Sequence, residues 1–466
     1  MSRATFGVIV GNRGCFPDHL CESGRTQVLA TLEQAQFKAI ALTPAETAFG
    51  SVETLEDAGK CASLFEAHRR EIDGILVTLP NFGDERAVAN TLRMASLHVP
   101  VLVHAFPDEL ERMGIQERRD SFCGKISVCN SLRQYGIPFS LTQKHTVAPS
   151  SPEFRQDLES FSAVCRIVRG LRGARIGALG ARPANFNTMR FSEKLLERHG
   201  ISVEPLDLSE AFGQADCLSD TDESVRAKLA AIKEYVPVKD VPEPALKKMA
   251  RFSVVLDQWI KTQSLVAIAV QCWNSIETYF GIAPCTVMSM LSQGLVPSAC
   301  EVDVLGALTM YVLQLATGAP SALVDWNNNY GNEPDKAVLF HCSNLPRSFF
   351  DAPRMSYQAI AARDVGQDNA FGTVEGRIAT GPFTFARISE LYGNLGAYVG
   401  EGEFINDPLN SFGGYGVARI AKLQQLLKYI CESGFEHHVA VTQGSISRSV
   451  TEALGRYMGW HVYHHF

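Results

Sequence analysis

The sequence predicts an α/β protein in which two N-terminal Rossmann-like α/β domains precede a β-rich C-terminal domain. Three observations predict it. Short apolar, β-branched runs alternate with segments of helical spacing in the first part of the chain. Glycines become frequent among β-formers from about Phe371 onward. The 466 residues suffice for about three domains at the usual ~150 residues each. A chain of that length buries most of its unfolded surface and needs no disulfide staples.

The first domain is expected over residues 1–160. Phe6–Val10 is an apolar run followed by a loop from Gly11 to Asp18. Thr26–Gln36 has helical spacing, and Ala39–Leu42, Ile72–Leu79 and Val99–His104 read as further buried strands. Ser150-Ser151-Pro152 punctuates its end. The second domain, 161–345, opens with a strand over Ala174–Leu179. A helix over Thr188–His199 follows, stopped by Gly200, and then a strand over Ile201–Pro205. Gly177 and Gly180 lie in GALGAR, which is not the GxGxxG of a dinucleotide loop, so a tight strand-to-helix turn is the reading. Ser219 to Pro244 is charged and largely helical, and Ser253–Trp273 is strongly apolar. In the third domain, 346–466, Gly372, Gly376, Gly381, Gly393 and Gly396 suggest short antiparallel strands. Helical spacing returns over Ala418–Ile430, before Gly434.

Charge and composition exclude several function classes. The 43 basic and 50 acidic side chains give a formal charge of −7, which argues against a nucleic-acid groove with its concentrated basic face. No polybasic run suggests an anionic membrane surface. The opening Met1 to Val10 lacks the layout of a signal peptide, and the most apolar segment, Leu265 to Trp273, is far short of a spanning helix. A soluble, cytoplasmic protein acting on a small molecule is expected. None of the twelve cysteines forms a CxxC pair, so they read as free thiols rather than a zinc site.

Chemistry concentrates between Cys300 and His341 and again near His438. The segment from Cys300 opens a helical pattern running to about Leu315. With Ser298 as N-cap, Glu301 falls in the first turn, where an acid also serves simply to complement the helix dipole. After the turn Gly318-Ala319-Pro320, the apolar run Ala322-Leu323-Val324 ends at Asp325 and Trp326. An acid closing such a strand points into a site or caps a turn. Ala337 to Phe340 is another apolar strand, ending at His341, and Glu436-His437-His438 introduces Val439-Ala440-Val441. Two carboxylates and up to three imidazoles at the edges of separate apolar elements suit a hard-to-borderline divalent ion: Mn2+, Mg2+ or Co2+. The terminal stretch His461 to Phe466 reads as a packed or exposed tail.

The stretch CEVDVLGALTMYVLQLATGAPSALVDWNN, with FHCSNLP and EHHVAV, resembles the metal-site region of the L-fucose and L-arabinose isomerase family. The resemblance implies three stacked domains and a metal-dependent aldose–ketose isomerase, with Mn2+ the first choice of ion. It implies Glu301 and Asp325 as ligands and acid/base groups, His438 as a further ligand, and His341 as a fourth ligand or a supporting group. His437, Gln271, Trp326 and Arg13 become sugar-contacting candidates. Arg13 lies in the loop Asn12 to Phe16, which by resemblance covers the centre of a neighbouring subunit in a homo-oligomer, a trimer or hexamer.

The chain is shorter than either named enzyme and combines Asp325 with a histidine at 341. A sugar carrying a sulfonate at C6, isomerised as sulfoquinovose to sulfofructose, is therefore the alternative substrate. Arg13, Arg182 and Arg377 are candidate cationic partners for it. A competing reading is a cytoplasmic, non-catalytic sugar-binding or regulatory protein. The carboxylate pair separates the two, because a binding module needs no pair of acids around a metal.

Overall fold

Three of the strands in the first part of the chain, Thr5–Val10, Gly74–Leu79 and Val101–Ala105, are buried on both sides, whereas Lys38–Ala41 is not. The computed structural model of the chain describes residues 3–466. It forms two units, one running to Arg169 and taking in Glu452–Gly459, the other comprising Gly170–Thr451 and Trp460–Phe466.

In the first unit β1 (Thr5–Val10), β2 (Lys38–Ala41), β3 (Gly74–Leu79), β4 (Val101–Ala105) and β5 (Ser140–Leu141) make an all-parallel sheet in the order β2-β1-β3-β4-β5. Phe6, Val8 and Val10 join Leu76 and Leu102 in one apolar layer, while Ile9 joins Ile75, Val77 and Val103 in another. The period-2 alternation thus feeds two cores, which is why β1, β3 and β4 are buried throughout and mostly apolar, with Thr5, Thr78 and His104 the exceptions. Each fully buried aliphatic side chain contributes about 1.5–3 kcal/mol. The loop residue Asn12 is buried and holds Glu53 and Asn81, at 2.8 and 2.7 Å. Tyr457, from far along the chain, belongs to this unit. Its hydroxyl donates to the Val101 carbonyl at 3.1 Å and lies 2.8 Å from the Ser140 hydroxyl.

The second unit carries two sheets. β6 (Arg175–Leu179), β7 (Ser202–Leu206), β8 (Ala267–Val270) and β9 (Ser298–Cys300) are parallel, in the order β7-β6-β8-β9. The remaining strands are β10 (Ser321–Asn329), β11 (Lys336–His341), β12 (Arg354–Tyr357), β13 (Phe371–Arg377), β14 (Gly381–Leu391), β15 (Asn394–Ile405), β16 (Gly414–Arg419), β17 (His438–Gln443) and β18 (His461–His464). They form a nine-stranded mixed sheet in the order β12-β13-β16-β11-β10-β17-β14-β15-β18. Strands β10 and β11, at the end of the segment 161–345, are hydrogen-bonded into this sheet rather than into the parallel one. The long hairpin β14–β15 turns through Tyr392 and Gly393, both with positive φ, as a two-residue hairpin loop requires. The tail His461–His464 adds an edge strand beside β15.

Two expected helices are shorter or shifted. Over Thr188–His199 only Glu193–Arg198 is α-helical, because the Ser192 hydroxyl caps the Leu195 amide and starts the helix there. Over Ala418–Ile430 the first residues belong to β16, paired to Ala337 and Phe404, and the helix spans Leu423–Ser433. No helix among the described residues is long and apolar enough to cross a membrane, and all twelve cysteines are free thiols.

The helix Val304–Thr317 packs against β10, β14 and β17 and buries all but two of its fourteen residues. Apolar on nearly every side, it anchors the turn that precedes it. Leu308, fully buried there, fixes its depth. Leu308→Ala should lower unfolding free energy by about 2–5 kcal/mol in denaturant titration. An unchanged midpoint would mean that the helix is not a core element.

Candidate metal centre

Glu301 follows β9 at the carboxyl edge of the parallel sheet, beside Gln271, which follows β8; their predecessors Cys300 and Val270 are register partners. Glu301 and Val302 both adopt left-handed backbone, φ 63° and 56°. For a β-branched valine this is a strained conformation, costing about 1–3 kcal/mol per residue. The Val302 amide donates to the Val270 carbonyl at 3.2 Å and the Asp303 amide to Cys300 at 2.9 Å, which hold the turn closed.

The cap of the following helix is Asp303, whose carboxylate accepts from the Gly306 amide at 2.8 Å. The expectation that Ser298 caps this helix and that Glu301 sits in its first turn is corrected here. Ser298 to Cys300 are taken up by pairing with β8, so the helix cannot begin until Val304.

Asp325 lies in the middle of β10, opposite His438 of β17 on one side and Phe340 of β11 on the other. Burial ends at Val324 while the strand itself continues to Asn329, so Asp325 closes the apolar run but not the strand. His438 Nε2 is 3.5 Å from Glu301 Oε2 and 3.4 Å from Asp325 Oδ1. All three atoms are buried and none has a hydrogen-bond partner. Buried polar atoms are almost always paired, so three orphans facing one another mark a site built for something else. Their chemistry, two carboxylate oxygens and an imidazole nitrogen, fits a divalent cation.

His341 ends β11, buried, its ring 5.7 Å from that of His438. His437 is half-exposed, with Nε2 3.9 Å from Asp325 Oδ1. Candidate ligand atoms of Glu301, His437 and His438, and likewise of Asp325, His341 and His438, lie within 4.8 Å of one another.

The other sequence candidates have hydrogen-bond or ring partners of their own. The Gln271 carboxamide accepts from the Ala181 amide at 2.8 Å and donates to the Ser275 hydroxyl at 3.1 Å, bridging two loops at the same sheet edge. Trp326 spends its indole N–H on the Tyr398 hydroxyl at 2.9 Å and packs edge-on to Phe385. Arg13 belongs to the first unit, where it pairs with Glu85 and lies over the Phe82 ring. Arg377 donates to the carbonyls of Ile405 and Asp407. Arg182 donates to the carbonyl of its neighbour Pro183.

Three residues that the sequence reading passed over stand directly behind the centre. His438 Nδ1 lies 2.8 Å from Asp303 Oδ2. Arg387, fully buried on β14, grips Asp303 through both terminal nitrogens, at 2.5 and 3.0 Å, and donates from Nε to Glu436 at 2.9 Å. Signals for them existed. Asp303 stands three residues before Gly306 at the head of an apolar helix, and Arg387 interrupts the apolar strand FTFARI, where an unpaired charge is not tolerated.

Electrostatics follow from this packing. Burial pushes the Glu301 carboxyl up to about 7, against the pull of His438 and His341. Burial would also raise Asp303, but Arg387 and His438 outweigh it and hold that carboxyl well below the usual range. For His438 burial favours the neutral ring, yet Asp303 and Asp325 tip the balance and raise it.

A family model for the N-terminal domain of fucose/sulfoquinovose isomerase matches residues 7–172, and one for the C-terminal domain of L-fucose isomerase matches residues 339–465. The chain is 23% identical over 390 residues to a sulfoquinovose isomerase of Priestia megaterium (strain ATCC 12872 / QMB1551), covering 83% of this chain and 84% of that protein. The protein of that name from Alkalicoccus urumqiensis is 25% identical over 365 residues, covering 77% and 79%. With both its terminal domains matched to one family, the chain belongs to the L-fucose isomerase family and is an aldose–ketose isomerase.

Proposed function

We propose that this isomerase binds a divalent metal ion, Mn2+ before Mg2+ or Co2+, through Glu301, Asp325 and His438, with His341 beside them. We propose as its substrate an open-chain aldose with a C6 sulfonate. The observation that carries the metal reading is the meeting of three buried, partnerless atoms, Glu301 Oε2, Asp325 Oδ1 and His438 Nε2. The sulfonated substrate rests on relatives named sulfoquinovose isomerase that cover more than three quarters of the chain.

A bound divalent ion supplies Lewis-acid polarisation to adjacent sugar oxygens. The protein's own groups move the protons. Conversion of an aldose to a ketose transfers one hydrogen from C2 to C1 and one proton from the C2 hydroxyl to the C1 oxygen. One of Glu301 and Asp325 removes and redelivers the carbon-bound proton while the other serves the oxygens. Two carboxylates in unlike settings suit this, since acceptance and delivery need opposite protonation states. Glu301 is almost fully buried whereas Asp325 is partly exposed, and that is the difference needed.

For the sulfonate we nominate Arg182. It follows β6, which pairs with β8, which in turn pairs with β9 and so leads to Glu301. Arg182 therefore follows a strand two positions from that of Glu301 at the same carboxyl edge of the sheet, roughly 10 Å between backbones. A guanidinium also matches an oxyanion with paired donors.

Glu301→Gln should lower kcat by several orders of magnitude with an unchanged circular dichroism spectrum, and chelation should abolish activity that added Mn2+ restores. Near-native turnover in that variant would remove Glu301 from the reaction. Because the raised Glu301 carboxyl is protonated below about pH 7, an incoming metal must displace that proton. Apparent Mn2+ affinity should then fall roughly tenfold per pH unit below 7. Calorimetry at pH 8 and pH 6 giving one affinity would refute the linkage. Arg182→Met should raise KM for sulfoquinovose by about tenfold or more, the worth of one charge-assisted pair, and leave Mn2+ binding alone. Equal KM values would exclude Arg182.

A further inference from the structure

The segments that bring Glu301 and His438 together are distant in sequence, and one guanidinium touches both. Arg387 Nη1 and Nη2 hold the two oxygens of Asp303, two residues beyond Glu301, while Nε holds Glu436, two residues before His438. Glu436 is completed by the Ser389 hydroxyl at 2.8 Å, and Asp303 by the Gly306 amide and His438 Nδ1, each at 2.8 Å. Every member is buried, so no water substitutes for a lost partner.

We propose that Arg387 is a positioning residue for the metal centre. It fastens the Glu301 turn to the start of β17 and aims His438 through Asp303. This rests on the metal-binding reading above and deepens it. A compact ammonium carries the same charge but cannot bridge two carboxylates in a planar fork, so the proposal concerns geometry rather than charge alone. Gly306 bears on the same point. A Cβ there would lie 2.3 Å from Asp303 Oδ2 and 3.1 Å from Arg387 Nη1, so a methyl must push the carboxylate off its partners.

The test compares Arg387→Lys, Glu436→Gln and Gly306→Ala with the parent chain. Mn2+ binding to metal-free protein is measured by calorimetry, the visible spectrum is recorded after Co2+ loading, and melting temperature is followed without metal. The expected result is a loss of Mn2+ affinity of about 10- to 100-fold, the usual effect of disturbing groups behind a metal ligand. The Co2+ spectrum should change, and lysine should fail to rescue despite its charge. A merely structural ion pair would lower the melting temperature and leave affinity and spectrum as in the parent. Folded Arg387→Lys and Glu436→Gln proteins that bind Mn2+ within twofold of the parent would overturn the proposal. If Arg387→Lys does not fold, Glu436→Gln and Gly306→Ala decide it by the same criterion. A parent chain that binds no divalent metal would instead defeat the metal-binding reading itself.

Discussion

The hydrogen bond between His438 and Asp303 sets what the rest of the centre can do. A neutral imidazole carries its proton on one nitrogen and a lone pair on the other. Asp303, kept ionised by Arg387 and by its amide partner, accepts from Nδ1 and so leaves the lone pair at Nε2, the atom that meets Glu301 and Asp325. Were Asp303 neutral or turned away, the ring could rotate or change tautomer and present a proton to two carboxylates instead.

This arrangement is costly to fold around. A fully buried arginine between two acids gains Coulomb energy but loses the hydration of three charges. Apolar replacements of such groups are often as stable or more so. The left-handed pair Glu301–Val302 adds backbone strain at the same place. Both expenses fall within a few residues of the orphaned atoms, while the surrounding helix and sheet are ordinary apolar packing. Local stability is sacrificed here, where it fixes direction.

Legibility in the sequence followed the range of the forces involved. The strands of the first unit were readable because two apolar cores demand largely apolar runs, and Asp325, His341 and His438 were visible at the ends of such runs. The helix start was misplaced because Ser298 is an excellent local cap. What overrules it is the pairing of Ser298–Cys300 with β8, some thirty residues upstream. Arg387 was missed for a related reason. A charge inside a strand announces that a partner exists but not where, and Asp303 lies 84 positions away along the chain. Helical spacing over Ala418–Ile430 was real but began in a strand, since small apolar residues serve either period.

The side chain that closes the first unit arrives late. Tyr457 ties β4 to β5, yet 356 and 317 positions separate it from Val101 and Ser140. On a ribosome this sheet would therefore emerge with its β4–β5 edge unsealed and wait for Tyr457 to be made. An isolated fragment ending near Arg169 would lack that seal. Assembly of this unit is in this sense completed long after its strands are translated.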